Sequence, residues 1–296
     1  MLDNITGFTI EPTNICTLKC PKCSRTQFIE QFPRHWKNKQ LNLEHLKAFL
    51  DIDLTDLCFT ICGDYGDAIY YDDLINLVSW LKQSKAVVSI HTNGSYKSKD
   101  WWEELASHMD TQDRVVFALD GLPDNFTKYR INADWESIQT GINTIKGKVK
   151  LVWQFIPFSF NEHQIDEVKQ YSQDLGFDEF LIVNSSRWDS LDDPLRPKEA
   201  NETEIIWKSQ QDRAIAPKCK MNNYEHFITS SGYYTPCCWV ANHNFYHKSE
   251  FYENKNQYDI SNTTISNILK SKQTLDFFQH IETKKPSVCT YNCPQL

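Results

Sequence analysis

The sequence predicts an α/β fold, a partial (β/α)6 barrel with a small cysteine-rich domain behind it. Three observations predict it. Six apolar strand-like runs alternate with helical ones, a CxxxCxxC run opens directly after the first strand, and a second cysteine set follows a polar stretch. Strands that alternate with helices form parallel βα units, whose crossovers cover both sheet faces. Six units are too few to close an eight-fold barrel, so an open one is expected.

The first strand is read over residues 7–12, and the cysteine run follows at once. Helical spacing then appears over 43–50 (Leu43, Leu46, Phe49, Leu50) and 74–81 (Leu74, Leu77, Val78, Leu81), with a strand over 57–62 between them. The alternation continues with strands over 86–91, 115–119, 149–157 and 180–183, and helices over 101–109, 135–145 and 164–175. Gly147 and Gly176 stand where helices should stop, because glycine accepts the left-handed cap. Residues 184–217 turn polar and charged, with Pro194 and Pro197, and read as a connection carrying one helix near 204–211. The expected units are therefore a barrel over 1–185, a connection over 186–217 and a small domain over 218–296.

Bulk properties exclude several function classes. No apolar run reaches transmembrane length, and residues 1–15 lack the charged start and apolar core of a signal peptide. A cytoplasmic protein is expected. Its ten cysteines then read as metal or redox ligands, since a reducing compartment keeps thiols free. With 31 basic against 39 acidic side chains the net charge is −8, which disfavours a long nucleic-acid partner. One local basic patch, Arg25, Arg34, His35, Lys37 and Lys39, is read as a solvated loop.

Cys16-Thr17-Leu18-Lys19-Cys20-Pro21-Lys22-Cys23 places three thiols within eight residues, and Pro12 and Pro21 argue against a regular helix there. Such a loop can wrap one soft metal centre. Iron-sulfur clusters normally take four cysteines, so Cys16, Cys20 and Cys23 would leave one iron open to a ligand that is not protein. A structural zinc site, whose usual CxxC pairs this spacing does not match, and unpaired core cysteines are the rival readings.

The run from Glu11 to Arg25 resembles the opening of the radical S-adenosylmethionine (SAM) superfamily, with Lys22 where the family often carries an aromatic residue. The resemblance implies a 4Fe-4S cluster on Cys16, Cys20 and Cys23, with SAM chelated to its fourth iron and cleaved reductively to a 5'-deoxyadenosyl radical. It also implies an electron donor of the flavodoxin or ferredoxin type. Cys62-Gly63-Asp64-Tyr65-Gly66-Asp67 resembles a variant of the family's glycine-glycine-acidic motif, which makes Gly63, Asp64 and Asp67 expected SAM contacts. Asn93, in His91-Thr92-Asn93-Gly94, and Asp120, in Ala118-Leu119-Asp120-Gly121, look like the family's ribose- and methionine-contacting strand ends. Arg130 falls where related enzymes place an arginine near the SAM carboxylate, and a guanidinium suits that bidentate partner. Gln154, polar inside an apolar strand, is read as facing SAM or substrate, with a satisfied core amide as the alternative. Cys58 and Cys62 share one strand face and read as small core residues.

Beyond the connection, Cys219, Gly232, Cys237, Cys238, Cys289 and Cys293 resemble the auxiliary-cluster domains called SPASM and, in shortened form, twitch. The count supports one auxiliary 4Fe-4S cluster on Cys219, Cys237, Cys289 and Cys293, with Cys238 as stand-in for Cys237 and a four-cysteine zinc site as the rival. A hairpin turning at Ser231-Gly232 is expected to carry Cys237 back toward Cys219. The resemblance implies hydrogen abstraction from a peptide or protein side chain. The alternative is a small polar metabolite such as an amino sugar, nucleoside or amino acid, and a third reading is a non-catalytic iron-sulfur or zinc protein. Because the first strand begins near residue 7, no separate peptide-recognition domain is expected ahead of the barrel. No residue is singled out as a catalytic acid or base.

Overall fold

In the computed structural model, residues 5–185, 187–198, 200, 214–217, 219 and 226–293 are described. Strands β1 (Gly7–Ile10), β2 (Cys58–Ile61), β3 (Val87–Thr92), β4 (Arg114–Ala118), β5 (Lys150–Phe155) and β6 (Glu179–Ile182) lie side by side in sequence order, every pair parallel. Helices α2 (Leu43–Phe49), α3 (Leu74–Gln83), α4 (Lys99–Ser107), α5 (Trp135–Ile145) and α6 (Ile165–Leu175) fill the crossovers. This is the expected alternation, and α5 starts and stops where its periodicity does.

The reason lies in side-chain placement. On the sheet, Ile61, Val88, Ile90, Phe117 and Leu151 are fully buried, and they pack with Leu77, Val78, Leu81, Leu105, Ile138 and Ile142 of the helices in one core. Each such side chain contributes roughly 1.5–3 kcal/mol. Caps fix the ends: Asp134 accepts from Ser137 N at 3.0 Å to start α5, and Gly176 closes α6 at φ 91°. At α5 the cap residue is Lys146, and Gly147 takes φ +75° one step later, in the turn to β5.

Two features depart from the expected layout. Residues Ser24–Gln31, read as loop, form helix α1 directly behind the third cysteine. The C-terminal hairpin, β7 (His226–Ile228) and β8 (Tyr234–Thr235), turns at Gly232 as expected but is part of the barrel sheet, because β7 pairs parallel to β1 through Phe8↔His226 and Ile10↔Ile228. The order is thus β6-β5-β4-β3-β2-β1-β7-β8. A first strand left as an edge would present unpaired N–H and C=O groups, and β7 satisfies them. One sheet therefore crosses the expected boundary at residue 218.

After the hairpin come the helices α7 (Cys238–Ala241), α8 (His243–Tyr246), α9 (Glu250–Glu253), α10 (Ile265–Lys270), α11 (Lys272–Lys284) and α12 (Ser287–Asn292), all short but α11. The helix expected near 204–211 lies outside the described residues. None of the ten cysteines is joined in a disulfide. Among the described residues no helix is long and apolar enough to cross a membrane.

Candidate active site

The cysteine loop leaves the carboxyl end of β1 and is tied to its neighbours at several points. Asp67 N donates to Ile15 O and Lys19 N to Ile131 O, each at 3.0 Å, while Thr17 Oγ1 meets Tyr70 Oη at 2.8 Å. Gly66 makes the close approach possible: a Cβ there would stand 1.8 Å from Thr13 O. The loop also has its own apolar nest, in which Leu18, Cys20, Tyr129, Phe158 and Trp188 are buried together with Cys16 and Cys23 at the margin. Cys20 is thereby buried, while Cys16 and Cys23 stay partly exposed.

Cys16, Cys20 and Cys23 form one wall of a cavity of about 670 Å³. Facing them are the exits of β2, β3 and β4, through Cys62 to Asp67, His91 to Asn93 and Ala118, and Gln154 of β5. Cys62, expected in the core, thus lies on the cavity wall. Leu18 N and Asn93 Nδ2 donate to Cys16 Sγ at 3.4 and 3.7 Å, and the positive Arg130 guanidinium lies near Cys20. Burial pushes the Cys16 thiol up to about 12 and Cys20 up to about 11, with the guanidinium working the other way on Cys20. Thiols held protonated by desolvation become ligands when a bound metal supplies the compensating charge. Donors aimed at their sulfurs are what a cluster's ligands receive, so the donor set fits.

The acidic residues divide by what their oxygens touch. Asp64 lines the cavity, and its Oδ2 is buried with no hydrogen-bond partner among the described residues. Burial pushes its carboxyl up to about 6, with Arg187 pulling the other way. An ammonium group would satisfy that oxygen. Asp67 also borders the cavity, yet its oxygens accept from Thr92 Oγ1 at 2.7 Å and from Asn93 N and Nδ2 at 2.6 and 2.5 Å. Its side chain positions Asn93. Asp120 does not line the cavity: it is fully buried, receiving Arg130 Nε at 2.6 Å and Ile156 N at 2.9 Å. It holds Arg130, which does face the cavity. Gly63 lies on the wall, where a Cβ would come within 2.9 Å of Glu11 Oε1.

Glu11 was not among the expected site residues. It ends β1, is 2 % exposed, and joins three segments by accepting from Tyr65 N at 2.8 Å and Ser230 Oγ at 2.9 Å. Burial, helped by repulsion from Asp64, pushes its carboxyl up to about 7. The signal was present in the sequence as a carboxylate closing an otherwise apolar strand.

The C-terminal cysteines come together as a second group. Cys237 and Cys289 each feel Cys219 and Cys293 electrostatically, and Cys289 also feels Cys237. Burial pushes Cys237 up to about 12 and Cys289 higher still. Trp239, beside Cys237, and Tyr291 and Asn292, between Cys289 and Cys293, complete the wall of the first cavity. Among the described residues, no three His, Cys, Asp or Glu side chains stand close enough to hold a single metal ion.

Residues 10–172 match the family model described as Radical SAM superfamily, and the chain belongs to that superfamily. Its fold is similar to that of anSMEcpe with bound AdoMet and Kp18Cys peptide (TM-score 0.60, 13 % identity, 97 % of this chain and 88 % of that chain). It is also similar to Streptococcus suis SuiB bound to S-adenosylmethionine (TM-score 0.60, 17 % identity, 97 % and 69 %). BtrN in complex with AdoMet and 2-DOIA is a third such structure (TM-score 0.51, 12 % identity, 99 % and 94 %). No curated protein sequence matches the chain.

Proposed function

We propose that this protein is a radical SAM enzyme of the SPASM/twitch type that abstracts hydrogen from a peptide or protein side chain and carries one auxiliary 4Fe-4S cluster. The observation that carries this reading is the shared cavity: one wall bears Cys16, Cys20 and Cys23, and another is built from residues threaded among Cys237, Cys289 and Cys293. A substrate in that space lies between the two sulfur sets. The auxiliary ligands are Cys219, Cys237, Cys289 and Cys293, with residues 218–296 as the auxiliary-cluster region and 1–185 as the barrel. We place the protein in the cytoplasm with a flavodoxin- or ferredoxin-type donor, because ten cysteines without a disulfide suit a reducing compartment.

When bound, the cluster and SAM supply a reductively generated 5'-deoxyadenosyl radical. The chain's own residues prepare the space for it. Asp64 Oδ2 would take the SAM ammonium, and Arg130, fixed by Asp120, would offer its remaining N–H groups to the SAM carboxylate. Asp67 holds the Asn93 amide against Cys16. Gln154 and Gly63 line the remaining wall, and Leu18, Tyr129 and Ile156 exclude water.

Support for a peptide substrate comes from anSMEcpe, solved with a bound peptide at TM-score 0.60. BtrN, solved with 2-DOIA at TM-score 0.51, keeps a small polar metabolite as the second reading. Anaerobic protein given dithionite and SAM should yield 5'-deoxyadenosine. Deuterium should enter that product from a deuterated peptide pool and not from deuterated metabolites. Absence of SAM cleavage with either pool would overturn the reading.

A further inference from the structure

A second cavity, of about 320 Å³, sits at the carboxyl ends of β1 and β7, and it shares Asp64 and Tyr65 with the first. Its mouth carries Lys37, Lys39 and Lys255, all exposed, in a chain whose net charge is −8. Two of the three belong to the basic patch read from the sequence. Lys39 gives one hydrogen to Ser231 Oγ at 2.8 Å and has two more to give.

The interior is aromatic. Phe28, Trp36 and Tyr65 stand with ring centroids 5.9 Å (Phe28 to Trp36) and 6.2 Å (Trp36 to Tyr65) apart. Tyr246 lines the same space, and its buried hydroxyl has no hydrogen-bond partner among the described residues. That O–H is a spare donor, since burial disfavours its ionised form.

Two carboxyls line the space: Glu11 at the floor, whose oxygens are taken by Tyr65 N and the Ser230 hydroxyl, and Asp64 on the wall shared with the first cavity, so the three lysines outnumber them. A cationic ligand would meet three ammonium groups at the mouth. An anion meets those three charges and an unused phenol.

We propose that this cavity binds a small aromatic anion, a ring carrying a carboxylate or a phosphate, with the ring among the aromatic side chains and the anionic group at the lysines. The site does not depend on the radical chemistry proposed above.

Calorimetric titration of the full-length protein with phenyl phosphate, benzoate and benzylamine tests it. Saturable binding of one or both anions is expected, and their relative affinity separates phosphate from carboxylate recognition. Lys39→Glu/Lys255→Glu, at exposed positions that leave the fold intact, should weaken it by about tenfold or more, and Tyr246→Phe by a smaller factor. Benzylamine should not bind. Absence of binding by both anions, affinity unchanged in the charge-reversed variant, or tighter binding of benzylamine would each overturn the proposal.

Discussion

The two cysteine sets solve the same problem in opposite ways. Cys16, Cys20 and Cys23 come from one loop, pinned by hydrogen bonds to the exits of neighbouring strands. Cys219, Cys237, Cys289 and Cys293 come from separate segments that only the folded chain assembles. On the assignment proposed above, local crowding would leave the first set one sulfur short of a full complement, whereas dispersion would let the second reach four. The first would then suit an exchangeable ligand and the second a closed centre.

The sharpest way to break this contrast is Cys20→Ala, which should abolish SAM cleavage while the sheet persists, because the loop's backbone ties do not pass through that sulfur. Retained 5'-deoxyadenosine formation would refute the assignment. Next in size is Cys289→Ala. Iron content should fall by about half, and the SAM-sensitive paramagnetic signal of the first cluster should remain; unchanged iron would point to zinc or to no metal at the second set.

Smaller effects come from the residues that support the first set. Asp120→Ala would strand Arg130 without its buried partner, and a loss of about 3–5 kcal/mol is expected in denaturant unfolding. A loss within experimental error would mean that the ion pair does not hold Arg130. Glu11→Gln should act through pH. The pKa of Glu11 rises from 4.5 to about 7 on folding, so the folded chain binds that proton more tightly. Its contribution is complete below about pH 4.5 and is lost as pH rises through 7, a difference of about 3 kcal/mol. Unfolding at pH 5 and pH 8 should show a flatter dependence in the variant, and an equally steep one would count against Glu11 as the titrating group.

Much of the barrel was legible because its periodicity is strong. The run from Trp135 to Ile145 places Ile138, Ile142 and Ile145 on one buried face, and nothing nearby competes. Helix α1 was not legible: only Ser24 is buried along it, so no apolar stripe announces it. The four-residue helices after Cys237 are hardly longer than one helical period and leave no pattern to detect. Pairing between β1 and β7 joins residues more than two hundred positions apart, which no local signal encodes.

The same limit applies at the site. The motifs fell on loops that line one cavity, yet they could not tell which carboxylates keep an unsatisfied oxygen there. Asp64 keeps a free oxygen, while Asp67 and Asp120 are consumed in holding Asn93 and Arg130. Trp239, Tyr291 and Asn292 were missed because their place in the cavity wall depends on the assembly of the second cysteine set.

The parallel pairing of β7 with β1 also governs how this protein can be cut or joined. A shortened version ending before residue 218 would not release a self-contained barrel. It would bare one whole flank of β1, and such a fragment should recruit foreign strands and precipitate instead of staying monomeric. Anyone transplanting the tail onto another enzyme would have to bring a matching first strand along with it.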